Sequence, residues 1–223
     1  MSTPLKPIKL YGKGPPNPAK VDMILSLLSI PYEFSPIDFS GVKKPEFLAI
    51  NPNGRLPAIH DPNTNFTIWE SGAIMEYLLD RYDKEDKYGF APATDDYYRA
   101  KQWFLFQLTG QGPYYGQYIW FTKYHPEKLP SVIERYYKEI NRVTGVLEGA
   151  LAKQKEAFPS GDGPWLVGNK LSYVDLSFVP WQAIVAKALP KEHYDPETYP
   201  LVKEWLGKMT AIKEVEGAMN AGH

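Results

Sequence analysis

Every strand-like segment of this chain lies at or before Trp69, and beyond Thr94 none remains. One part must therefore close an α/β unit by itself, while the rest must build its core by packing helix on helix. Ile8-Lys9-Leu10-Tyr11 has strand character. After the Gly/Pro turn Gly12-Lys13-Gly14-Pro15-Pro16, the segment from Pro18 to Ser29 places Val21, Ile24, Leu25 and Leu28 at helical offsets. Tyr32 to Ile37 alternates as a second strand, and Pro45 to Ile50 reads as a short helix with Pro in its first turn. Leu56–His60 and Asn65–Trp69 flank Asp61-Pro62-Asn63-Thr64, which is turn chemistry, and form an expected antiparallel hairpin. Ser71 is expected to cap a helix whose apolar stripe is Ile74, Tyr77, Leu78 and Tyr82.

The pattern assigns residues 1–84 to an α/β domain of order βαβ-α-ββ-α, residues 85–94 to a linker and residues 95–223 to an all-helical domain. Helices are expected at about 95–122, 130–157, 174–188 and 199–212. Ile133, Tyr137, Ile140, Thr144, Leu147 and Leu151 form one stripe. The 174–188 helix has almost no polar face, which points to a buried central position, and Ser172 with Asp175 has the form of a capping box.

Composition excludes several functions. The net charge of −1 provides no basic field for nucleic acid or anionic lipid. No apolar run reaches the roughly 18 residues that span a bilayer, and Met1 to Pro7 lacks the apolar region of a signal peptide. The expectation is a cytoplasmic protein without nucleic-acid or membrane partners. The absence of Cys removes disulfides and any protein thiol nucleophile. Four histidines, His60, His125, His193 and His223, are too scattered in sequence to suggest a metal site.

Asn17 stands where the first strand hands over to the first helix. A side chain there meets the positive end of a helix at the mouth of a sheet, a favourable place for an anion such as a thiolate.

The α/β-then-helical order, together with Asn51-Pro52-Asn53-Gly54-Arg55-Leu56-Pro57-Ala58-Ile59, Trp69-Glu70-Ser71-Gly72-Ala73-Ile74 and Ser172-Tyr173-Val174-Asp175-Leu176, resembles the glutathione transferase superfamily. The resemblance covers nearly the whole chain and implies a thioredoxin-like N-terminal domain followed by a helical C-terminal domain. Pro16-Asn17-x-x-Lys20-Val21, Trp103-Phe104-x-x-Gln107 and Gly116-Gln117 look like the fungal class related to the yeast nitrogen-catabolite regulator.

The resemblance implies glutathione as co-substrate, no metal, a small-molecule electrophile, and a homodimer with the first domain of one subunit facing the helical domain of the other. It also implies a cis peptide before Pro57, leaving the Leu56 backbone to pair with an extended peptide; a trans Pro opening a strand is the plainer alternative. Glu70 can accept bonds from an ammonium, while Ser71 and the first N–H groups of its helix can hold a carboxylate. Together they match the zwitterionic γ-glutamyl end of glutathione, although Ser71 serves equally as a helix cap. Asn17 is the candidate thiolate donor, with a helix-capping role compatible with it; Tyr11 is the rival, while Ser35 and Ser40 lack support. Lys43, Lys44 and Arg55 are candidates for the glycine carboxylate, Arg55 the stronger and Lys44 next to it. The fungal class has a His near the position of Val42, and this chain departs there.

From Phe104 to Phe121, glycines and Pro113 interrupt an aromatic-rich helix. Each Gly costs a helix interior about 1 kcal/mol and Pro about 3. A kinked helix opening an electrophile pocket lined by Phe104, Gln107, Gln111, Tyr114 and Tyr118 accounts for them, as the resemblance implies; a kinked core helix is the alternative, and Trp181 reads as core. An enzyme that activates the glutathione thiolate is the leading expectation. Attack at carbon, sulfur or peroxide and removal of glutathione from conjugates all remain open. The alternatives are a weakly catalytic regulatory module and a ligandin storing aromatic compounds.

Overall fold

The computed structural model describes residues 4–37 and 40–221. His223, counted above among the histidines, and Met1 to Thr3 lie outside the described residues. The chain forms two compact units, Met1–Gly89 with Ile212–His223, and Phe90–Ala211.

The first unit is built on a four-stranded sheet of β1 (Ile8–Tyr11), β2 (Tyr32–Ser35), β3 (Ala58–Asp61) and β4 (Phe66–Trp69), ordered β2-β1-β3-β4. β1 runs parallel to β2 and antiparallel to β3, and β3 pairs antiparallel with β4, with Leu10 opposite Ile59. The parallel pair needs a crossover, and α1 (Asn17–Leu27) supplies it. The short α2 (Pro45–Leu48) precedes β3, and α3 (Ser71–Tyr82) follows β4. Ile8, Leu10, Ala58 and Ile59 are fully buried. Asp61, at the end of β3, accepts from the Tyr77 and Tyr82 hydroxyls and from the Asn63 N–H, tying α3 to the hairpin turn.

Two helix starts differ from the sequence reading. Glu70, not Ser71, occupies the cap position of α3, with φ 73° and ψ 117°, and Ser71 is the first helical residue. In α1 the cap position falls on Pro16 and Asn17 opens the helix, so Asn17 is not its cap. The expected linker is also more ordered than its composition suggests: the Asp83 carboxylate accepts from the Lys87, Tyr88 and Gly89 N–H groups, each at 2.8 Å. The end of the chain departs from the expected boundary too. α9 (Lys213–Asn220) belongs to the first unit, where it packs on α1 with Val215 and Ala218 buried.

The second unit comprises α4 (Asp95–Phe106), a π-helical turn (Gln107–Gln111), α5 (Gly112–Lys123), α6 (Pro130–Ala157), α7 (Tyr173–Ala188) and α8 (Pro200–Thr210). α7 is buried from Tyr173 through Pro180, as its apolar circumference requires. The Asp175 carboxylate accepts from the Ser172 N–H and hydroxyl, the Leu166 N–H and the Trp205 indole N–H, at 3.0–3.1 Å. Burial nonetheless pushes its carboxyl up to about 6, because removing the charge from water outweighs these four donors.

Asp175→Ala leaves several buried donors without an acceptor, each costing about 1–3 kcal/mol. The expected loss in denaturant unfolding is about 3–5 kcal/mol, the sum of several such unpaired donors. A loss below about 1 kcal/mol would contradict this account of α7.

Candidate functional site

A cleft of about 780 Å³ opens in the first unit. Its walls come from three segments that the sheet brings together: the turn from β1 into α1 with Lys13 and Asn17, Pro36 and Ile37 after β2, and Arg55 with Leu56 before β3.

The third wall is shaped by its own hydrogen bonds. Asn51 is 1% exposed; its amide N–H donates to the Arg55 carbonyl at 2.6 Å, and its amide oxygen accepts from the Asn53 N–H at 3.0 Å. Gly54 turns at φ +60°, where a Cβ would stand 2.8 Å from the Val42 carbonyl. At the end of β1, Gly12 has φ +99°, and a Cβ there would meet Leu56 at 3.0 Å. Glycine thus lets the two walls approach. The Leu56–Pro57 peptide is cis, as is Pro15–Pro16.

Asn17 faces this cleft from the first position of α1 and is half-buried. The helix end offers an anion fewer donors than a typical N-terminus. Pro18 has no N–H, and the Ala19 N–H is taken by the Gly14 carbonyl at 3.2 Å. That narrows the contribution expected from the helix end and puts more weight on the Asn17 side chain. Tyr11 packs edge-to-face with Phe47, ring centres 6.1 Å apart, in an apolar cluster with Val42 and Ala58. Val42, near which the resemblance implied a His, is buried in this cluster and also borders the cleft.

Glu70 and Ser71 meet at the junction of β4 and α3. Asn53, from the third wall, has its side-chain N–H 3.5 Å from the Glu70 carboxylate, which links the two segments. Glu70 is exposed, Ser71 is buried, and α3 has no side-chain cap, leaving its first N–H groups open to a carboxylate. Positive φ at a non-glycine residue such as Glu70 is sparsely populated and clusters at binding sites. Arg55 borders the main cleft, whereas Lys44 borders a neighbouring hollow of about 330 Å³ that shares Pro36 and Ile37 with it. Lys43 donates to the Asn53 carbonyl at 3.1 Å.

The expected electrophile residues have a different setting. Gln107 and Gln111 are 0% exposed. The Gln107 amide N–H donates to Gln111, whose own N–H groups reach the Phe178 carbonyl and Gln182 at 3.2 and 3.3 Å. Phe104 is buried against Tyr173, and Tyr118 is buried with its hydroxyl 2.7 Å from His193 Nδ1. Burial pushes the Tyr118 hydroxyl up to about 12. These four side chains are buried in the helical unit, whereas Tyr114 is half-buried beside Tyr136.

The glycines have a packing reason. A Cβ on Gly110 would stand 2.9 Å from the Phe106 ring, and one on Gly116 would stand 3.3 Å from the Trp181 ring. The π-turn absorbs the irregularity before Pro113.

Two cations, one bordering the cleft and one buried in α1, escaped the sequence reading. Lys13 is one, and its ammonium also lies 5.3 Å from the Phe34 ring centre. Lys20, 1% exposed, is the other. The signal for Lys20 was a lone cation at helical spacing from Asn17 in a largely apolar helix. Among the described residues, no group of three or more His, Asp or Glu is placed to hold a metal, and no helix is long and apolar enough to cross a membrane.

Comparison with known proteins agrees with this architecture. Residues 6–80 match the glutathione S-transferase N-terminal domain, and residues 113–213 match the glutathione S-transferase C-terminal domain. The chain is 56% identical to the glutathione S-transferase-like protein gedE of Aspergillus terreus, over 97% of this chain and 96% of that protein. It is 34% identical to the transcriptional regulator URE2 of Saccharomyces cerevisiae, over 96% of this chain and 69% of the regulator. The glutathione transferase URE2P6 of Phanerochaete chrysosporium, solved with oxidized glutathione, superposes with a TM-score of 0.85 at 43% identity, covering 96% of this chain and 94% of that one. With both of its domains matched in order, and the sheet and helices arranged as those domains require, the chain belongs to the glutathione S-transferase family.

Proposed function

We propose that the protein binds glutathione in the first-unit cleft and that Asn17 stabilises its thiolate for attack on an apolar or aromatic electrophile. The observation that carries this reading is the grouping of Asn17, Arg55 and Leu56 around one cleft, with Glu70 linked to the same wall through Asn53. The chemistry matches the ligand end to end. Glu70 takes the γ-glutamyl ammonium, Ser71 and the start of α3 take the adjacent carboxylate, and the Leu56 backbone pairs with the peptide. Arg55 takes the glycine carboxylate, and Lys44 serves a ligand end that extends into the adjoining hollow. The oxidized glutathione bound by the Phanerochaete transferase supports this class of ligand.

A free Cys thiol has a pKa of about 8.5, and lowering it by about two units takes roughly 2.7 kcal/mol. One charge-assisted hydrogen bond supplies about 1.5–3 kcal/mol, so the Asn17 amide is of the right magnitude. With no Cys in the chain, a thiol-transfer reaction must run through glutathione itself. Peroxide reduction and removal of glutathione from conjugates use the same thiolate.

A homodimer is part of this reading. β4 is a sheet edge carrying Phe66, 45% exposed, and on α4 Tyr98 and Leu105 lie two turns apart on one face, with Leu105 58% exposed. Exposed apolar patches of this kind mark association surfaces. Sedimentation at micromolar concentration is expected to show a dimer that Phe66→Glu weakens; monomer alone in the unmodified protein would overturn it.

Asn17→Ala is expected to lower turnover at neutral pH roughly tenfold to more than a hundredfold. Raising the pH should restore part of the loss, because the thiol then ionises without help. Tyr11→Phe should leave the pH–rate profile in place. The reading fails if Asn17→Ala leaves that profile unmoved, or if Tyr11→Phe shifts it instead. A protein that binds glutathione yet turns over no electrophile across a broad panel would fit the regulatory reading that the URE2 likeness admits.

A further inference from the structure

The helical unit has a cavity of its own, about 310 Å³. Ala183 and Ala186 of α7, Val202 and Leu206 of α8, and Pro196 between the two helices wall it. That volume is at the lower end of small-molecule pockets. The α8 wall runs from Val202 to Thr210, about 12 Å along the helix axis. Tyr194 closes the cavity toward the core; it is 3% exposed, and its hydroxyl accepts from the buried Gln182 amide at 2.8 Å.

Gly207 stands in the α8 wall. Glycine is a poor helix former, and neither usual reason for one applies here. Its φ is not positive, and a Cβ on it would meet nothing within 4 Å. Gly149 and Gly217 are open in the same way, so openness alone marks no site. Gly207, in addition, borders this cavity, and its missing side chain leaves the groove unfilled.

The lining carries two cations, Lys187 and Lys203, and no acid. Lys203 lies 2.5 Å from the Glu197 carboxylate, which offsets its charge. Lys187 is exposed and has no acidic partner among the described residues. The Thr210 hydroxyl is committed to the Leu206 and Gly207 carbonyls, at 2.9 and 3.2 Å. Lys187 is therefore the open side-chain donor at this cavity, and its flexible stem lets the ammonium reach over the rim.

We infer that this cavity is a binding site for an aliphatic carboxylic acid of medium chain length, with the acyl chain along α8 and the carboxylate held by Lys187. A long, narrow wall of small aliphatic side chains suits an acyl chain, whose burial supplies the affinity. One unpaired cation suits one carboxylate, and a charge-assisted bond to it selects the acid over an uncharged head group. The site uses no residue of the first-unit cleft and does not depend on glutathione being the ligand there.

The test is calorimetry of the full chain with decanoate, kept below its micelle concentration, and with decanol as the uncharged control. Decanoate should saturate one site, and decanol should bind at least tenfold more weakly. Lys187→Gln should weaken decanoate about tenfold and leave decanol unchanged. Gly207→Leu, which fills the groove, should abolish binding of both. Leu is a better helix former than Gly, so this variant should melt no lower than the unmodified protein, and the exposed Lys187→Gln gives a second reading that does not disturb packing. Absence of saturable decanoate binding would overturn the inference. So would undiminished binding in Gly207→Leu, which would put the acid elsewhere on the chain. Equal affinity for decanol, or an unaffected Lys187→Gln, would remove the carboxylate selectivity and with it the inference.

Discussion

Asn51 does not border the cleft, yet the cleft's third wall depends on it. Its buried amide closes the turn that carries Asn53, Gly54 and Arg55 by bonding both to the Arg55 carbonyl and to the Asn53 N–H. That turn sets Leu56 against Gly12 at the end of β1 and sends the Asn53 side chain toward Glu70. In the proposed reading, a ligand with two charged ends and a peptide between them would meet a wall shaped in advance by this turn. Preorganisation of this kind reduces the ordering cost that otherwise subtracts from affinity.

The same economy accounts for the polar groups buried in both units. In the helical unit, Gln107, Gln111, Gln182, Tyr115, Thr144 and Tyr194 form a connected hydrogen-bonded network. Such a network is tolerable in a core only when its members are satisfied. In the first unit, Asp22 accepts from the Tyr32 hydroxyl and from Ser26, so α1 carries a hydrogen-bonded acid as well as the buried Lys20. The helix that brings Asn17 to the cleft is thereby fixed in register by polar as well as apolar contacts.

Much of this was legible in the sequence. The hairpin at residues 56–69, the helix over 130–157 and the Ser172–Asp175 box follow from local patterns, and local patterns report local geometry. What the sequence hid depended on contacts distant along the chain. Nothing near Gln111 in the sequence shows that it bonds to Gln182, about seventy positions on. Gly116 seems a helix breaker until Trp181 is found against it. Asn17 and Ser71 each fall one position inside their helices, a shift that capping preferences do not resolve. α9 went unseen because its role is to cover α1, nearly two hundred residues earlier. Lys20 carried a signal, a cation in a largely apolar helix, but its burial is set by the fold and not by the local sequence.

The central claim is that this protein lowers the pKa of the thiol of bound glutathione without a protein thiol or tyrosine. Thiolate absorbs in the ultraviolet, so titrating the enzyme–glutathione complex with pH while following that band measures the claim directly. The account predicts a bound thiol pKa of about 6.5, roughly two units below the free value. A bound thiol that still titrates at about 8.5 would contradict it.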